Sequence, residues 1–289
     1  MGYILCVAYV IVNLLEGIVV KNHTRKYGNG GTVVNALTCL FSMIFFIVTE
    51  ALETDAFYFP PRLWIYGGIS IIMFSAGFYF TYVAYKIGPF GLTKLLSTFS
   101  LLFPIVYGLV FLNEEGGALS YLGIALMLSA AVLINLKREE SGEKQKITFK
   151  WLVCIIISAV ANGMISVLSR MQQISFDNAT SNEFMMISLF GSFIVLSIWG
   201  VLKEKRGIGL VIRNGALTGA LAGVLNGAKN FITLLVYLYL PLSIVSPLKT
   251  SLSMIATFAV SYLLYKERYG RLQLVGVVLG AASVVLLSL

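Results

Sequence analysis

Charge is scarce in this chain of 289 residues: Asp, Glu, Lys and Arg make up 12% of it, against roughly 25% in an average soluble domain. Apolar residues take 58% and the mean hydropathy is +0.88, so there is too little polar material to cover a soluble globule. Histidine occurs once, at His23, and no HExxH, GxSxG or clustered carboxylate motif is present. Those gaps exclude the common hydrolase and metalloenzyme signatures; no enzymatic activity, cofactor or metal is expected. No GxxxxGK[ST] loop occurs either, which removes an ATP-driven motor. The three cysteines, Cys6, Cys39 and Cys154, each sit in an apolar run without ligand spacing and behave as small hydrophobes. The net charge of +8 comes largely from lysines and arginines in short loops between apolar runs. That placement fits lipid head groups and membrane topology, and no nucleic-acid partner is expected.

What is abundant is apolar length. Runs of about 20 residues, enough to cross a bilayer, follow one another at 1–20, 31–49, 63–86, 91–112, 118–136, 150–170, 183–202, 214–238, 242–265 and 271–289. The runs are too long and too evenly apolar for barrel strands, so an all-α integral membrane protein with ten transmembrane helices is expected. The first run starts at Met1 without a basic n-region or cleavage site and reads as a retained span.

The charged stretch LKREESGEKQKITFK, residues 136–150, divides the chain into five spans and five spans. The halves also align weakly. A shift of 152 sets Ala76, Thr81, Tyr85, Pro89, Glu115 and Ala130 on Ala228, Thr233, Tyr237, Pro241, Glu267 and Ala282, and a shift of 149 sets Asn13 on Asn162. Five spans are an odd number, so the second copy enters the membrane from the opposite side. The expectation is two five-helix inverted repeats, residues 1–136 and 150–289, joined by a charged linker at 137–149. Sixteen Lys and Arg residues fall in loops after odd-numbered spans and two, Arg62 and Arg170, on the other side. The positive-inside rule then puts the odd loops in the cytoplasm and both termini outside.

The ends of the two halves, GLVFLNEEGGALSYLGIALMLSAAVLINL and VSYLLYKERYGRLQLVGVVLGAASVVLLSL, share an apolar span, an acidic residue in a tight loop and a glycine-containing last span. With AYKIGPFG and VYLYLPLS before spans four and nine, they resemble the ten-span, EamA-type members of the drug/metabolite transporter superfamily. The resemblance implies a secondary transporter, more often an exporter, and commonly cytoplasmic termini, which is opposite to the loop-charge reading.

Four ionisable side chains lie within the runs away from their ends: Glu16, Lys94, Lys229 and Lys249. A charge in mid-membrane costs about 2.5–3.5 kcal/mol on insertion scales, so such groups should face a wet cavity or each other. Span eight sets Asn226, Lys229 and Asn230 on one stripe with Thr233 and Tyr237, and span nine sets Lys249 with Thr250 and Ser253. Span four offers Lys94 and Ser97; span three offers Tyr79 and Tyr82. These are the candidate substrate-binding residues, with Glu16 the candidate for proton coupling. Lys229 has two readings, a contact to substrate or an ion pair with Glu16. Lys94 has a second reading too, snorkelling to the head groups.

An excess of ammonium over carboxylate favours amino acids or other carboxylated or zwitterionic solutes. The expected function is secondary transport across the cell (inner or plasma) membrane, with the export direction implied by the family resemblance. The partners are a small-molecule substrate, the lipid bilayer and protons as the candidate coupling ion. Broad multidrug export and a non-transporting scaffold or receptor are the alternatives.

Overall fold

The computed structural model describes residues 1–27, 31–53, 57–87, 93, 96–97, 99–114, 117–135, 148–203, 208–265 and 270–288. Every regular element among them is helical. In chain order they are α1 (Gly2–Tyr27), α2 (Gly31–Glu53), α3 (Pro61–Ile87), a 3₁₀ turn (Phe99–Leu101) leading into α4 (Leu102–Phe111), and α5 (Ala118–Asn135). The second half supplies α6 (Phe149–Ser175), α7 (Ser181–Lys203), α8 (Ile208–Val236), α9 (Leu242–Tyr265) and α10 (Arg271–Ser288). These coincide with the apolar runs, because in a bilayer the backbone groups of a spanning segment find partners only within a helix.

Among the described residues seven helices are long and apolar enough to cross a membrane, and three more apolar ones are shorter: Phe99–Phe111, Ala118–Leu133 and Arg271–Leu287. In span four, Thr93, Leu96 and Ser97 are helical and a 3₁₀ turn at Phe99–Leu101 leads into α4 at Leu102. Other helices outrun the apolar runs: α1 continues to Tyr27, α2 to Glu53 and α6 to Ser175. His23, expected in a loop, therefore lies on α1, and Glu50 lies on α2. The charged linker 137–149 falls almost wholly outside the described residues, as do Glu115 and Glu267. Thr148 at its end caps α6, its hydroxyl accepting from the Trp151 N–H at 3.3 Å.

Packing runs mainly between the halves. α2 packs on α7 and α8, α3 on α6 and α7, α1 on α8 and α9, α4 on α6 and α9, and α5 on α10. One core gathers Phe46, Leu63, Phe74, Leu168, Phe184 and Leu234, from five different helices. A second joins Cys6 of α1 to Tyr237, to Leu242 and Leu248 of α9, and to Leu287 of α10. The outward faces are apolar as well: Ile4, Val7, Ile11 and Leu15 of α1 are exposed at helical spacing, a surface suited to lipid.

Close approach of α8 to α2 depends on glycine. A Cβ at Gly223 would stand 2.5 Å from the Phe41 Cβ and 2.8 Å from the Thr38 carbonyl oxygen, and one at Gly227 would stand 2.8 Å from Phe45. Small residues four apart let two membrane helices meet nearly backbone to backbone.

Candidate functional site

Asn226, Lys229, Asn230, Thr233 and Tyr237 recur on α8 at intervals of three and four, and all five line one cavity of about 1410 Å³. The Lys229 ammonium is ion-paired to Glu16 of α1. Asn226 Nδ2 donates to the other Glu16 oxygen at 3.0 Å. The Asn226 carbonyl in turn accepts from Asn230 Nδ2 at 3.0 Å and from Ser42 Oγ at 3.3 Å. That relay orients the Asn226 amide, so Glu16 receives one charged and one neutral donor from a single face of α8.

Lys249 of α9 is differently placed. Its ammonium donates to Thr233 Oγ1 at 3.2 Å and lies 4.7 Å from the Tyr9 ring centroid and 5.4 Å from that of Tyr237. Two aromatic faces attract a cation without neutralising it. Among the described residues no carboxylate pairs with Lys249, because Glu16 is engaged by Lys229. The lysines and the glutamate thus leave the cavity with one net positive charge, on a side chain only 8% exposed. Pro247 lies inside α9 two residues earlier and has no N–H to donate to the Ser243 carbonyl.

The cavity runs along the bundle from Lys249 and Tyr237 to Asn22, Gly31 and Thr218, where α1 ends and α2 begins. Toward the opposite end its lining includes Tyr9, Ser169, Met185, Tyr237 and Lys249, of which Ser169, Met185, Tyr237 and Lys249 are buried. Phe74, Phe78, Tyr82 and Tyr85 of α3 give it an aromatic wall. A cavity closed near one end and extending to the other is the shape of a one-sided access path.

The structure brings together Glu16, Asn226, Lys229, Asn230, Lys249 and Tyr82 around this cavity. Thr250 lines a smaller cavity beside it. Tyr79 is placed elsewhere: its ring packs edge-on against Phe80 and Trp199, at 5.3 and 5.5 Å. Ser253 has a buried hydroxyl without a hydrogen-bond partner and is not a lining residue of either cavity. Ser97 turns back to the Thr93 carbonyl at 2.9 Å. Lys94 lies outside the described residues.

Several lining residues escaped the sequence reading. Tyr9 and Asn13 join Glu16 in a stripe on α1, and Asn162, Ser166 and Ser169 form another on α6. The signal was present, since both sets are spaced by four and three, and Asn13 falls on Asn162 in the repeat alignment. Carboxylates were also missed. Glu16 is not the only one buried in a helix: Glu50 accepts from Asn182 Nδ2 at 2.7 Å and Glu183 from the Tyr58 N–H at 3.0 Å. Glu114, after α4, accepts from the N–H groups of Leu242 and Ser243 at 2.8 and 2.9 Å, capping α9 at its positive end. His23 is buried where α1 meets α8, its Nδ1 2.9 Å from Thr218 Oγ1, and burial lowers its pKa.

Residues 149–289 match the EamA-like transporter family. Together with the apolar helices, the match supports a multi-pass membrane transporter. One solved crystal structure is similar in fold to this chain, with a TM-score of 0.77 over 100% of this chain and 98% of that one, at 13% identity. No curated protein matches it.

Proposed function

We propose that this EamA-like chain is a secondary transporter that exports small carboxylated or zwitterionic metabolites, amino acids among them, by alternating access. The observation that carries the reading is the contrast between the two lysines. Lys229 is neutralised by Glu16, whereas Lys249 stands in the cavity beside Thr233 and two tyrosine rings, with no carboxylate paired to it among the described residues. A carboxylate is the partner that such a charge lacks. An organic cation is disfavoured, because it would meet the like charge of Lys249, which also occupies the faces of Tyr9 and Tyr237.

The inverted repeat supports the mechanism. Exchanging α1–α5 with α6–α10 turns the α1–α8 contact into α6–α3, α2–α8 into α7–α3, and α1–α9 into α6–α4, while α2–α7 and α5–α10 map onto themselves. Each of those pairs is in contact, as expected of two copies related by an axis in the membrane plane. In such a protein one conformation exposes the site to one side and the exchanged conformation exposes it to the other. By the loop charges, the end reached by this cavity is cytoplasmic and the membrane is the cell (inner or plasma) membrane. Glu16 is the coupling group in this reading: its protonation would release Lys229 and change the charge of the site.

Counterflow in proteoliposomes tests the proposal. Preloaded vesicles are challenged with labelled amino acids, hydroxy acids and organic cations. Lys249→Gln is expected to lower carboxylate flux at least about thirtyfold, the effect of truncating a buried charge pair. Saturable flux of organic cations alone, or no flux of any solute by folded protein, would sink the reading in favour of a multidrug exporter or a scaffold.

A further inference from the structure

Beside the large cavity lies a second one of about 110 Å³, enclosed by the start of α4, by α6 and by α9. Tyr9, Asn162, Ser166 and Lys249 line both, so these four side chains form the partition between them. On the far side of that partition the walls carry the hydroxyls of Ser100, Ser246 and Thr250, and no carboxylate is among the described lining residues. Ser246, Lys249 and Thr250 occupy one face of α9, at i, i+3 and i+4, and all three line the small cavity, while the Lys249 ammonium stands at the partition, reaching toward Thr233 and Tyr237 of the large one. Ser246 is 4% exposed and Lys249 8%, and neither the Ser246 nor the Thr250 hydroxyl has a hydrogen-bond partner among the described residues.

We propose that this small chamber is a carboxylate subsite: the solute's carboxylate enters it, ion-paired to Lys249 and accepting from Ser246 and Thr250, while the rest of the solute stays in the large cavity. The inference rests on the reading of the protein as a carboxylate transporter and assigns which end of the solute goes where. Size agrees. The small cavity, about 110 Å³ against about 1410 Å³ for the large one, takes one end of a solute whose remainder stays in the large cavity. Charge agrees as well: a single ammonium balances one negative charge, whereas a phosphate dianion would remain half uncompensated in a low-dielectric wall. Hydroxyl donors complete the recognition because an ionised carboxylate offers several acceptor sites and no donor.

The experiment uses the full-length protein in detergent, with melting temperature read against alanine, leucine and lactate, each beside its carboxamide. The carboxylates are expected to stabilise the protein and the carboxamides not to. Thr250→Val and Ser246→Ala, nearly isosteric changes, should each raise the half-saturating carboxylate concentration about tenfold or more, as loss of a hydrogen bond to a charged group does. Thr250→Ser should regain what Thr250→Val loses. Unchanged half-saturation in both variants, with binding abolished by Lys249→Gln, would overturn the subsite and leave the carboxylate reading standing. Stabilisation by carboxamides equal to that by carboxylates, or by none of the compounds, would overturn both.

Discussion

Removing the carboxylate at position 16 alone would strand the Lys229 ammonium in the middle of a membrane helix, while removing both charges would strand nothing. The two side chains are 15% and 18% exposed, so cavity water softens the penalty. Glu16→Gln is therefore expected to destabilise the protein by about 1–3 kcal/mol, below the full cost of breaking a buried pair. The Glu16→Gln, Lys229→Met double variant should recover most of that loss, and thermal unfolding across the four combinations measures the coupling. A second residue-scale effect concerns His23, beyond the apolar part of α1 at Gly2–Val20. Burial against Thr218 disfavours its charged form, so the folded state binds a proton less readily than the unfolded chain. Its neutral form contributes stability that is fully present above the unfolded value of about 6.5 and is lost as pH falls below it. Melting temperature should fall between pH 7.5 and pH 5, and the His23→Gln variant should show a shallower fall.

At the scale of elements, contact between helices depends on which residues are small. Gly223 of α8 meets both the Thr38 carbonyl and the Phe41 Cβ of α2, neither of them the free end of a flexible side chain. Gly223→Ala is expected to cost about 1–3 kcal/mol through overpacking. Gly68 of α3 has nothing within 4 Å of a built Cβ, so Gly68→Ala should be neutral or slightly stabilising. Equal melting temperatures for the two variants would remove close packing as the basis of the α2–α8 contact. The same glycines carry a functional consequence, since they bring Ser42 of α2 within reach of Gly223 and Asn226 and so fix the amide that holds Glu16.

For the whole molecule, the two halves share their cores and their polar site, yet their charges are not duplicated. Glu16 on α1 and Lys229 on α8 correspond, by the shifts of 149 and 152, to Ile165 on α6 and Gly77 on α3. The α1–α8 contact therefore carries an ion pair where the corresponding α6–α3 contact carries Ile165 and Gly77, and all four residues line the cavity. A solute meets the charge on one side only, which favours molecules with distinguishable ends. The shape of the cavity gives the matching prediction. In a background with Cys6, Cys39 and Cys154 replaced, Asn22→Cys should react quickly with an impermeant maleimide from the side that the cavity reaches. Ser169→Cys, near its closed end, should react slowly from both sides. Fast labelling of Asn22→Cys from the outside of intact cells would reverse the orientation inferred from loop charge.

Helix number and position were legible in the chain because a bilayer leaves a long apolar segment little choice but a helix. Lys229 and Lys249 were legible for a related reason, since an ammonium in such a segment is too costly to be accidental. Asn13 and Asn162 were equally visible and were passed over, each being a single amide in an apolar run. Sequence spacing places residues on a face of one helix but does not say which helices meet. Only the packing of α1 on α8 decided that Glu16 pairs with Lys229 and leaves Lys249 without a carboxylate. Packing also turned Tyr79 toward Trp199 and set a small polar chamber behind Lys249, both being contacts between residues distant in the chain. The sequence by itself determined the elements and the charges that need explaining; tertiary structure determined their partners, because pairing energy depends on distance and desolvation across helices.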